Sequence, residues 1–352
     1  MKVLIATDAW HPQINGVVRT FERVCEYAPQ FGADIHVVSP QMWKSVPLPT
    51  YSEIDLALCS YGSVAEKIDA YDPDYIHIAT EGPVGWRARQ YCQRRNVPFT
   101  SSYHTKVPEY LRARMPVPIS WTYSMLRRFH NAGRSLMVTN ESLRSELSHW
   151  GFDNIQLWSR AVDCKLFRPM DVDIFNLRRP IFTYVGRVSV EKNLDAFLSL
   201  DLPGTKVIVG KGPQQATLEK RYPDVHFTGA LEGEDLSKAY ASSDVFVFPS
   251  LTDTFGIVLL EAVACGVPVA AFPVTGPRDV LGGSGCGVLD DDLQKAALAA
   301  LEIPRDRCRA FAETKSWTRS IGEFLNNILL SHGKPLYDLD AYHAKAVKAG
   351  IN

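Results

Sequence analysis

The fold of this chain is decided by one stretch, residues 244–272, which runs DVFVFPSLTDTFGIVLLEAVACGVPVAAF. A run of apolar and aromatic residues predicts a strand over 244–248, an apolar helical pattern predicts a helix over 255–265, and a second apolar run predicts a strand over 268–272. Two strands joined by a crossover helix pair in parallel, and a parallel sheet carries helices on both faces. The stretch therefore predicts an α/β fold.

The same alternation of strand and helix continues along both halves of the chain. Short β-branched runs predict further strands over 2–7, 34–39, 75–79, 99–103, 181–185, 206–209 and 225–228. Helical patterns predict helices over 18–31, 85–95, 193–200, 214–221 and 235–242. We therefore expect two doubly wound, Rossmann-like domains, over 1–167 and 168–330, and a C-terminal tail, 331–352, that packs back on the first domain. Ligands bind at the carboxyl ends of such strands, so two facing sheets predict a central cleft.

Composition narrows the class of protein. The chain has 352 residues, a formal net charge of -1, 46% apolar residues and 22% charged residues, which excludes collagen-like, coiled-coil and largely disordered chains. Seven cysteines without a C-x-x-C pair indicate neither a disulfide framework nor a zinc site, so we expect a reducing cytoplasm. The apolar run at the N-terminus is too short for a signal peptide, and the longest apolar stretch is broken by Glu261, Gly266 and Pro268, which excludes a membrane span.

Small and charged residues follow the predicted strands of the second half, where the ligand of an α/β sheet binds. Gly186, Arg187 and Lys192 follow the strand over 181–185, and Lys211 lies between two glycines after the next strand. Glycines allow the backbone to approach a ligand closely, and helix N-termini favour phosphate groups. These junctions therefore predict a site for a phosphorylated ligand.

Several motifs occur together in a recognisable order. They are an acid and a glutamate eight residues apart (Asp253 and Glu261) with Phe255-Gly256 between them, Ala-x-x-Cys-Gly-x-Pro-Val over 262–269, the run 186–194, Val162-Asp163 with Phe167-Arg168-Pro169, Ser-Ser-Tyr-His-Thr over 101–105, and the segment 12–17. In this order, over about residues 1–330, they resemble the signature of the retaining family-four glycosyltransferases of the two-Rossmann-domain (GT-B) type. The bacterial glycolipid branch is the most similar in appearance, and α-mannosyltransferases are close to it.

The resemblance implies a role for each group of the donor site. Arg187 and Lys192 bind the diphosphate and stabilise the charge that grows on it as it leaves. Glu261 binds the two hydroxyls of the ribose, and His104 contacts the donor sugar. The sugar and diphosphate are further held by Asp253 and by the backbone N–H groups of Thr254, Phe255, Gly256, Ile257 and Val258. Gly16 and Gly186 let the backbone approach the diphosphate, and Asn15, which stands where many relatives have Gly, is a further substrate-binding residue.

Alternatives remain open for some of these residues. Asp253 stands where many members of the family carry Glu, and it is also placed to cap the following helix. Glu81 is either an acceptor contact or a helix cap. Lys211 stands where relatives commonly carry an acid, so it either pairs with a carboxylate sugar or an extra phosphate group, or is an exposed lysine without a role.

The diphosphate charge is expected to be met without a metal ion. No cluster of His, Asp and Glu with metal-ligand spacing accompanies these motifs, so Arg, Lys and helix dipoles take that role. The nucleotide diphosphate sugar is the co-substrate, and no cofactor is expected. The resemblance implies a front-face transfer, in which the acceptor hydroxyl attacks as the diphosphate leaves and a phosphate oxygen takes the proton.

Positive charge is concentrated in the predicted acceptor-side domain. Residues 86–134 contain ten Lys or Arg and one acid, Glu109. Helical spacing places Trp121, Met125, Leu126 and Phe129 on one face, which predicts a surface for anionic membrane lipid, with a face buried in the core of the first domain as the alternative. The predicted membrane contacts are Arg112, Arg114, Trp121, Arg127 and Arg128. A third interpretation is that this basic segment binds nucleic acid, which the donor-site motifs disfavour.

Together these expectations predict one function and leave two alternatives. We expect a metal-independent, retaining hexosyltransferase that moves glucose or glucuronate from a UDP-sugar to a membrane lipid such as diacylglycerol. It would act in the bacterial cytoplasm, peripherally on the inner face of the cell membrane. The alternatives are a GDP-mannose-dependent α-mannosyltransferase and a sugar-nucleotide epimerase or binding protein on the same fold. A dinucleotide dehydrogenase is disfavoured because no G-x-G-x-x-G follows the first strand.

Overall fold

The computed structural model describes residues 1–13, 15–48, 51–112, 116–252 and 255–348. The chain forms two compact units: among the described residues, unit 1 comprises Met1–Arg160 and Trp317–Lys348, and unit 2 comprises Ala161–Ser316. Each unit is built around its own parallel sheet with helices packed against it. The predicted pair of Rossmann-like α/β domains is therefore confirmed.

Unit 1 alternates strand and helix from its first residues. Its elements up to Arg160 are β1 (Lys2–Ala6), α1 (Gly16–Tyr27), β2 (Asp34–Val38), β3 (Ser45–Leu48), β4 (Tyr51–Ala57), α2 (Tyr61–Tyr71), β5 (Tyr75–Ile78), α3 (Pro83–Arg95), β6 (Phe99–Ser102), α4 (Val107–Arg112), α5 (Ile119–His130), β7 (Ser135–Val138), α6 (Glu141–His149) and β8 (Ile155–Leu157). The sheet order is β2-β1-β5-β6-β7-β8, and all its pairs are parallel, whereas β3 and β4 form a separate antiparallel hairpin. The order turns back at β1 and β5, so the loops after these two strands lie side by side.

Unit 2 has the same architecture. Its elements are β9 (Ile181–Val185), α7 (Leu194–Leu198), β10 (Thr205–Val209), α8 (Gln215–Arg221), β11 (His226–Gly229), α9 (Gly233–Ala241), β12 (Val245–Phe248), α10 (Ile257–Ala264), β13 (Val269–Ala271), α11 (Thr275–Leu281), β14 (Gly287–Leu289), α12 (Leu293–Ala300) and α13 (Arg305–Glu313). The sheet order is β11-β10-β9-β12-β13-β14, again parallel throughout.

The sequence of β9 shows why this sheet is covered on both faces. Ile181 and Val185 pack in the apolar cluster on one side, and Phe182 and Tyr184 pack in the cluster on the other side. Successive side chains of a strand point to opposite faces, so a strand buried on both faces needs a continuous apolar run. The run over 181–185 meets that need, which is why it could be identified as a strand.

The last helices return to unit 1, which differs from the predicted domain boundaries of 168–330 and 331–352. These helices are α14 (Trp317–Ser331) and α15 (Leu339–Lys348). The apolar face of α14 packs in the core of unit 1, where the ring of Phe324 lies 4.7 Å from that of Trp158 and 6.2 Å from that of Phe21. The indole N–H of Trp158 also donates to the carbonyl oxygen of Ser320 at 3.0 Å. The first unit is therefore completed by a segment distant in sequence.

None of the described helices is long and apolar enough to cross a membrane.

Candidate active site

The sheet of unit 2 changes the direction of its strand order at β9 and β12. β9 pairs with β10 on one side and with β12 on the other, and the later strands continue outward from each. Ligands of open α/β sheets bind outside the carboxyl ends of the strands at such a point. The loops that follow β9, β10 and β12 therefore form the candidate site of unit 2.

Hydrogen bonds tie these three loops together. The backbone N–H of Val188, after β9, donates to the carbonyl oxygen of Lys211, after β10, at 3.0 Å. The side-chain amide of Asn193 donates to the carbonyl oxygen of Pro249, after β12, at 3.1 Å. The loops thus form one connected edge that brings Arg187, Lys192 and Lys211 to the same end of the sheet.

The loop after β9 carries the two predicted diphosphate ligands, Arg187 and Lys192. It begins at Gly186, whose φ of 149° favours glycine and where a Cβ would lie 2.6 Å from the hydroxyl of Tyr184. That hydroxyl donates to the carbonyl oxygen of Arg187 at 3.0 Å and fixes the turn. Arg187 and Lys192 are partly exposed, whereas Lys211 is exposed. The edge of unit 2 is thus positively charged where the phosphate site was predicted.

Glu261 lies inside α10, closer to its start than the sequence indicated. The predicted helix began at Phe255, but α10 begins at Ile257, so Glu261 lies little more than one turn inside it. The helix starts late because Gly256 has a φ of 81° and caps it, and a Cβ there would lie 3.2 Å from Phe248 and Leu259. The four predicted backbone contacts, at Phe255, Gly256, Ile257 and Val258, are all partly exposed.

The carboxylate of Glu261 is buried and has a fixed partner. Glu261 is only 2% exposed, and the hydroxyl of Tyr240 on α9 donates to its Oε2 at 3.0 Å. A buried carboxylate needs hydrogen-bond donors, and Tyr240 supplies one of them. Tyr240 had no signal in the sequence. Asp253 and Thr254 lie outside the described residues, so their predicted roles stay predictions.

In unit 1 the corresponding switch lies between β1 and β5, and Asp8 holds the loops after them together. Its carboxylate accepts hydrogen bonds from the backbone N–H groups of Val84, at 2.8 Å, and Gly85, at 3.2 Å, at the start of α3. It also accepts from the hydroxyl of Thr80 at 2.9 Å. Burial raises the pKa of this carboxyl group to about 6, against the effect of these donors. Asp8 caps α3, so the alternative role of Glu81 as the helix cap is wrong.

Glu81 is instead held by a buried histidine. Nε2 of His130 lies 3.0 Å from Oε1 of Glu81, and Nδ1 of the same ring lies 2.9 Å from the hydroxyl of Ser101 on β6. His130 is 2% exposed, while 14% of the Glu81 side chain remains exposed. The carboxylate therefore has a fixed position at the carboxyl edge of the unit 1 sheet. Its partner lies 49 residues away in the chain, so no local pattern indicates the pair.

His104 follows β6 at the same edge and is neutral. Nη2 of Arg160 lies 3.3 Å from Nδ1 of His104, and a guanidinium can only donate, so Nδ1 accepts and the ring proton is on Nε2. Burial and then the positive charge of Arg160 hold the pKa of His104 well below its usual range. The ring packs edge-on against Phe21, with centroids 5.6 Å apart.

Asn15 and Gly16 lie at the start of α1. The side-chain oxygen of Asn15 accepts from the backbone N–H groups of Val17 and Val18, both at 3.0 Å, and so caps the helix. Gly16 is the first residue of α1 and is exposed, and Asn15 before it is partly exposed. Asn15 therefore has a local structural role, and its predicted contact with the diphosphate stays a prediction.

The predicted apolar stripe of α5 is divided between core and surface. Leu126 and Phe129 are buried, so for them the prediction of a membrane-facing stripe is wrong, because they fill the core of unit 1. Trp121 is 72% exposed and Met125 is 46% exposed. Arg112, Arg127 and Arg128 are also exposed, although Arg127 donates to the carbonyl oxygen of Trp150 at 3.2 Å. Arg114 lies outside the described residues.

In the described part of the chain, no group of three or more His, Cys, Asp or Glu side chains is arranged to hold a metal ion.

Two family models match the chain, one in each half. The model described as Glycosyltransferase Family 4 matches residues 14–166, and the model described as Glycosyl transferases group 1 matches residues 179–306. The second match contains the loop that carries Arg187 and Lys192 and the helix that carries Glu261. The first contains Glu81 and His104.

Curated relatives and a solved structure agree with these matches. The chain is 31% identical to Sulfoquinovosyl transferase SQD2 of Arabidopsis thaliana over 76% of its own length, and the match spans 58% of that plant protein. It is 29% identical to a GDP-mannose-dependent alpha-mannosyltransferase of Mycobacterium tuberculosis, over 82% of this chain and 83% of the relative. The fold resembles that of HepE of Anabaena, solved in complex with UDP-glucose, with a TM-score of 0.65 at 14% identity, over 99% of each chain.

Proposed function

Because this chain belongs to the glycosyltransferases of family 4 and group 1 and has the GT-B type of fold, we propose that it transfers a hexose from a nucleotide diphosphate sugar to a membrane lipid. The proposed donor is UDP-glucose or UDP-glucuronate, the proposed acceptor is diacylglycerol or a similar lipid, and the anomeric configuration is retained. The observation that carries the proposal is the connected edge of unit 2, where Arg187 and Lys192 follow β9 and the buried Glu261 lies in α10, the helix that follows β12.

This edge suits a nucleotide diphosphate. Two cations five positions apart on one loop match the two charged phosphates, and their donors strengthen as negative charge grows on the departing diphosphate. A carboxylate accepts two hydrogen bonds from a vicinal diol, which a ribose presents, and Tyr240 holds that of Glu261 in place. With the charge met by side chains, the reaction proceeds without a divalent ion.

The acceptor half of the proposal rests on unit 1. Trp121, Met125 and Arg128 follow one another at positions i, i+4 and i+7 of α5, so they share a face of the helix. An aromatic ring, a flexible apolar side chain and a cation on one face suit the interface of an anionic membrane. We therefore place the protein, as part of the proposal, peripherally on the cytoplasmic face of the cell membrane, and Glu81 at the acceptor hydroxyl.

The names of the relatives leave two nucleotide-sugar donors to compare. SQD2 is named as a sulfoquinovosyl transferase, the mycobacterial relative as a GDP-mannose-dependent mannosyltransferase, and HepE was solved with UDP-glucose. The second candidate function is accordingly transfer of mannose from GDP-mannose. It rests on the mannosyltransferase, which this chain covers over most of its length.

A donor screen tests the proposal and separates the candidates. The purified protein is incubated with a membrane lipid extract and, in separate reactions, with UDP-glucose, UDP-glucuronate or GDP-mannose, and the lipids are analysed by mass spectrometry. A hexosylated or hexuronosylated lipid with a UDP-sugar supports the main proposal. A mannosylated lipid supports the second candidate. Conversion of the donor to another nucleotide sugar without transfer would instead identify an epimerase.

A further inference from the structure

Arg160 is a buried arginine that neither the motifs nor the family matches single out. It is 6% exposed, and one of its terminal nitrogens, Nη1, donates to the carbonyl oxygens of Trp158 at 2.9 Å and Ser159 at 3.2 Å. Its guanidinium carbon also lies 3.8 Å from the centre of the Trp158 ring. These contacts fix the plane of the guanidinium, so the direction in which its other nitrogens donate is fixed as well.

The nitrogen Nη2 of Arg160 lies 3.3 Å from Nδ1 of His104. Because the guanidinium has no acceptor, this contact exists only while Nδ1 is unprotonated. Adding a proton at Nδ1 would break the hydrogen bond and place two positive charges against each other. The contact therefore selects one of the two neutral forms of the imidazole and opposes the charged form.

The other charged groups near His104 either oppose its protonation as well or act on it through Arg160. His77 on β5 and His130 on α5 would each repel a charged His104 when protonated. Glu323 on α14 stabilises the charge of Arg160, although burial still lowers the pKa of that guanidinium to about 9. At neutral pH the arginine therefore remains a cation, and its effect on His104 persists.

We infer that Arg160 is a positioning residue, which holds His104 neutral with its proton on Nε2 and prevents protonation at Nδ1, so that a hydrogen bond between His104 and the donor sugar is one that Nε2–H donates. The inference rests on the proposed function for the identity of the ligand alone, a sugar oxygen. The state of the ring is a property of unit 1 itself. A neutral donor makes the same contact across the physiological pH range, whereas an unconstrained histidine changes its charge there.

The state of the ring is measured without any substrate. In protein labelled with ¹⁵N-histidine, the nitrogen shifts of each ring distinguish a protonated from an unprotonated nitrogen, and His104→Gln identifies the His104 signals among the nine histidines. The expected result is a proton on Nε2, none on Nδ1, and no titration between about pH 5 and 8. A proton on Nδ1 of the native protein, or titration in that range, overturns the inference.

Variants of Arg160 test whether this residue is the cause. Arg160→Met removes the donor and the charge, so the ring should become a mixture of both neutral forms and titrate closer to its ordinary pKa of about 6.5. Arg160→Lys keeps both a donor and the charge, so the native form should be largely retained. His104 signals that are the same in Arg160→Met and in the native protein overturn the inference.

A matched control separates this effect from the loss of a buried arginine in general. Arg89 is also buried, donates to two backbone carbonyls, of Phe129 at 3.1 Å and of Arg128 at 2.8 Å, and packs on the ring of Trp86. Arg89→Met should therefore leave the His104 signals unchanged. A change as large as in Arg160→Met would show that the ring responds to the packing of unit 1 and not to Arg160.

Kinetics give an independent readout. In Arg160→Met, part of the neutral ring should lose its proton on Nε2, so the donor KM should rise above about pH 6.5 with a smaller change in kcat. It should return toward the native value at lower pH, where protonation restores the Nε2–H donor, while Arg160→Lys keeps the native profile. The NMR result stands even when no donor is turned over, so failure of the proposed function and failure of this inference are distinguishable.

Discussion

The hydroxyl of Tyr240 donates to Oε2 of Glu261 at 3.0 Å, and both side chains are almost completely buried. Tyr240 lies on α9 and Glu261 on α10, so the bond joins the two helices beside the switch in strand order of unit 2. A phenol that donates to a buried carboxylate reduces the cost of burying the charge and fixes where the other carboxylate oxygen lies.

Replacing Glu261 by Ala should weaken donor binding by about 1.5–3 kcal/mol, because a charge-assisted hydrogen bond to the ribose is lost. Tyr240→Phe leaves the carboxylate in place but less well held, so donor binding should weaken by a smaller amount and the free energy of unfolding should fall by about 1–3 kcal/mol. Calorimetry with the nucleoside diphosphate and urea unfolding measure the two effects.

A surface pair in the same unit provides the control for this experiment. The hydroxyl of Tyr222 donates to Asp195 at 2.9 Å in a partly exposed position, so Tyr222→Phe removes a similar bond that does not involve Glu261. This variant should bind the nucleotide as the native protein does. If Glu261→Ala binds the nucleoside diphosphate with native affinity, Glu261 does not bind the ribose.

Transfer should persist in excess chelator, since Arg187 and Lys192 are proposed to supply the positive charge that a divalent ion supplies elsewhere. The rate is measured in protein treated with EDTA and then after addition of magnesium or manganese. Loss of activity in EDTA that either ion restores would contradict the proposal and point to a metal held by the substrate or by the site.

Binding to anionic vesicles should depend on the exposed face of α5 and on Arg112. In Arg112→Glu with Arg128→Glu, binding should weaken by about 1 kcal/mol or more for each position, and the loss should shrink in added salt. Sedimentation with vesicles of varied anionic lipid content measures it. Trp121→Ala should weaken binding to neutral and anionic vesicles alike, because it removes apolar contact and no charge.

The control is a double variant with the same change in net charge at two other positions of unit 1. Lys67 and Arg319 are partly exposed cations of α2 and α14. Lys67→Glu with Arg319→Glu should bind anionic vesicles nearly as well as the native protein. Equal loss in both double variants would mean that overall charge, and not the α5 surface, governs the binding.

The pH dependence of stability should reflect two buried groups that act in opposite senses. Burial lowers the pKa of His77 to about 3, so the folded state binds fewer protons than the unfolded state between about pH 3 and 6.5, and this contribution to stability is lost as the pH falls. Burial raises the pKa of Asp8 from 3.8 to about 6, so between these values the folded state binds the extra proton and stability rises as the pH falls.

Asp8→Asn separates the two contributions, because an amide does not titrate but still accepts from the N-terminus of α3. Between about pH 4 and 6, the free energy of unfolding should fall more steeply on acidification in the variant, by up to about 1.4 kcal/mol per pH unit. Urea unfolding at several pH values measures the slopes. Parallel slopes for the variant and the native protein would show that Asp8 titrates normally.

The helices and strands that could be predicted are those whose bounds are set by neighbouring residues in the sequence. The strand over 181–185 has the predicted bounds, because its apolar run is itself the signal. The start of α10 was misplaced by two residues, because Gly256 takes a left-handed conformation that no pattern of polarity reveals. For α5, helical spacing grouped Trp121 with Phe129, but which part of that face the core covers depends on neighbours far along the chain.

The contacts within the candidate site show the same limit. Arg187, Lys192 and Glu261 lie in recognisable motifs. The residues that hold them in position, such as Tyr240 beside Glu261, belong to no motif. The pairs His130 with Glu81 and Arg160 with His104 each join residues about 50 apart in the chain. Such pairs are set by the sheet topology, which brings distant loops to one edge, and so they become visible only in the folded structure.

The central claim, transfer from a nucleotide diphosphate sugar at the edge of unit 2, is tested most directly by the release of nucleoside diphosphate that depends on an acceptor lipid. We expect release to require both the donor identified in the screen and the lipid. In Arg187→Ala with Lys192→Ala, kcat should fall by about 100-fold or more with a smaller loss of donor binding, while Lys220→Ala, at an exposed cation of α8, keeps the native rate. Absence of acceptor-dependent release with every donor, or native release in the double variant, would contradict the claim.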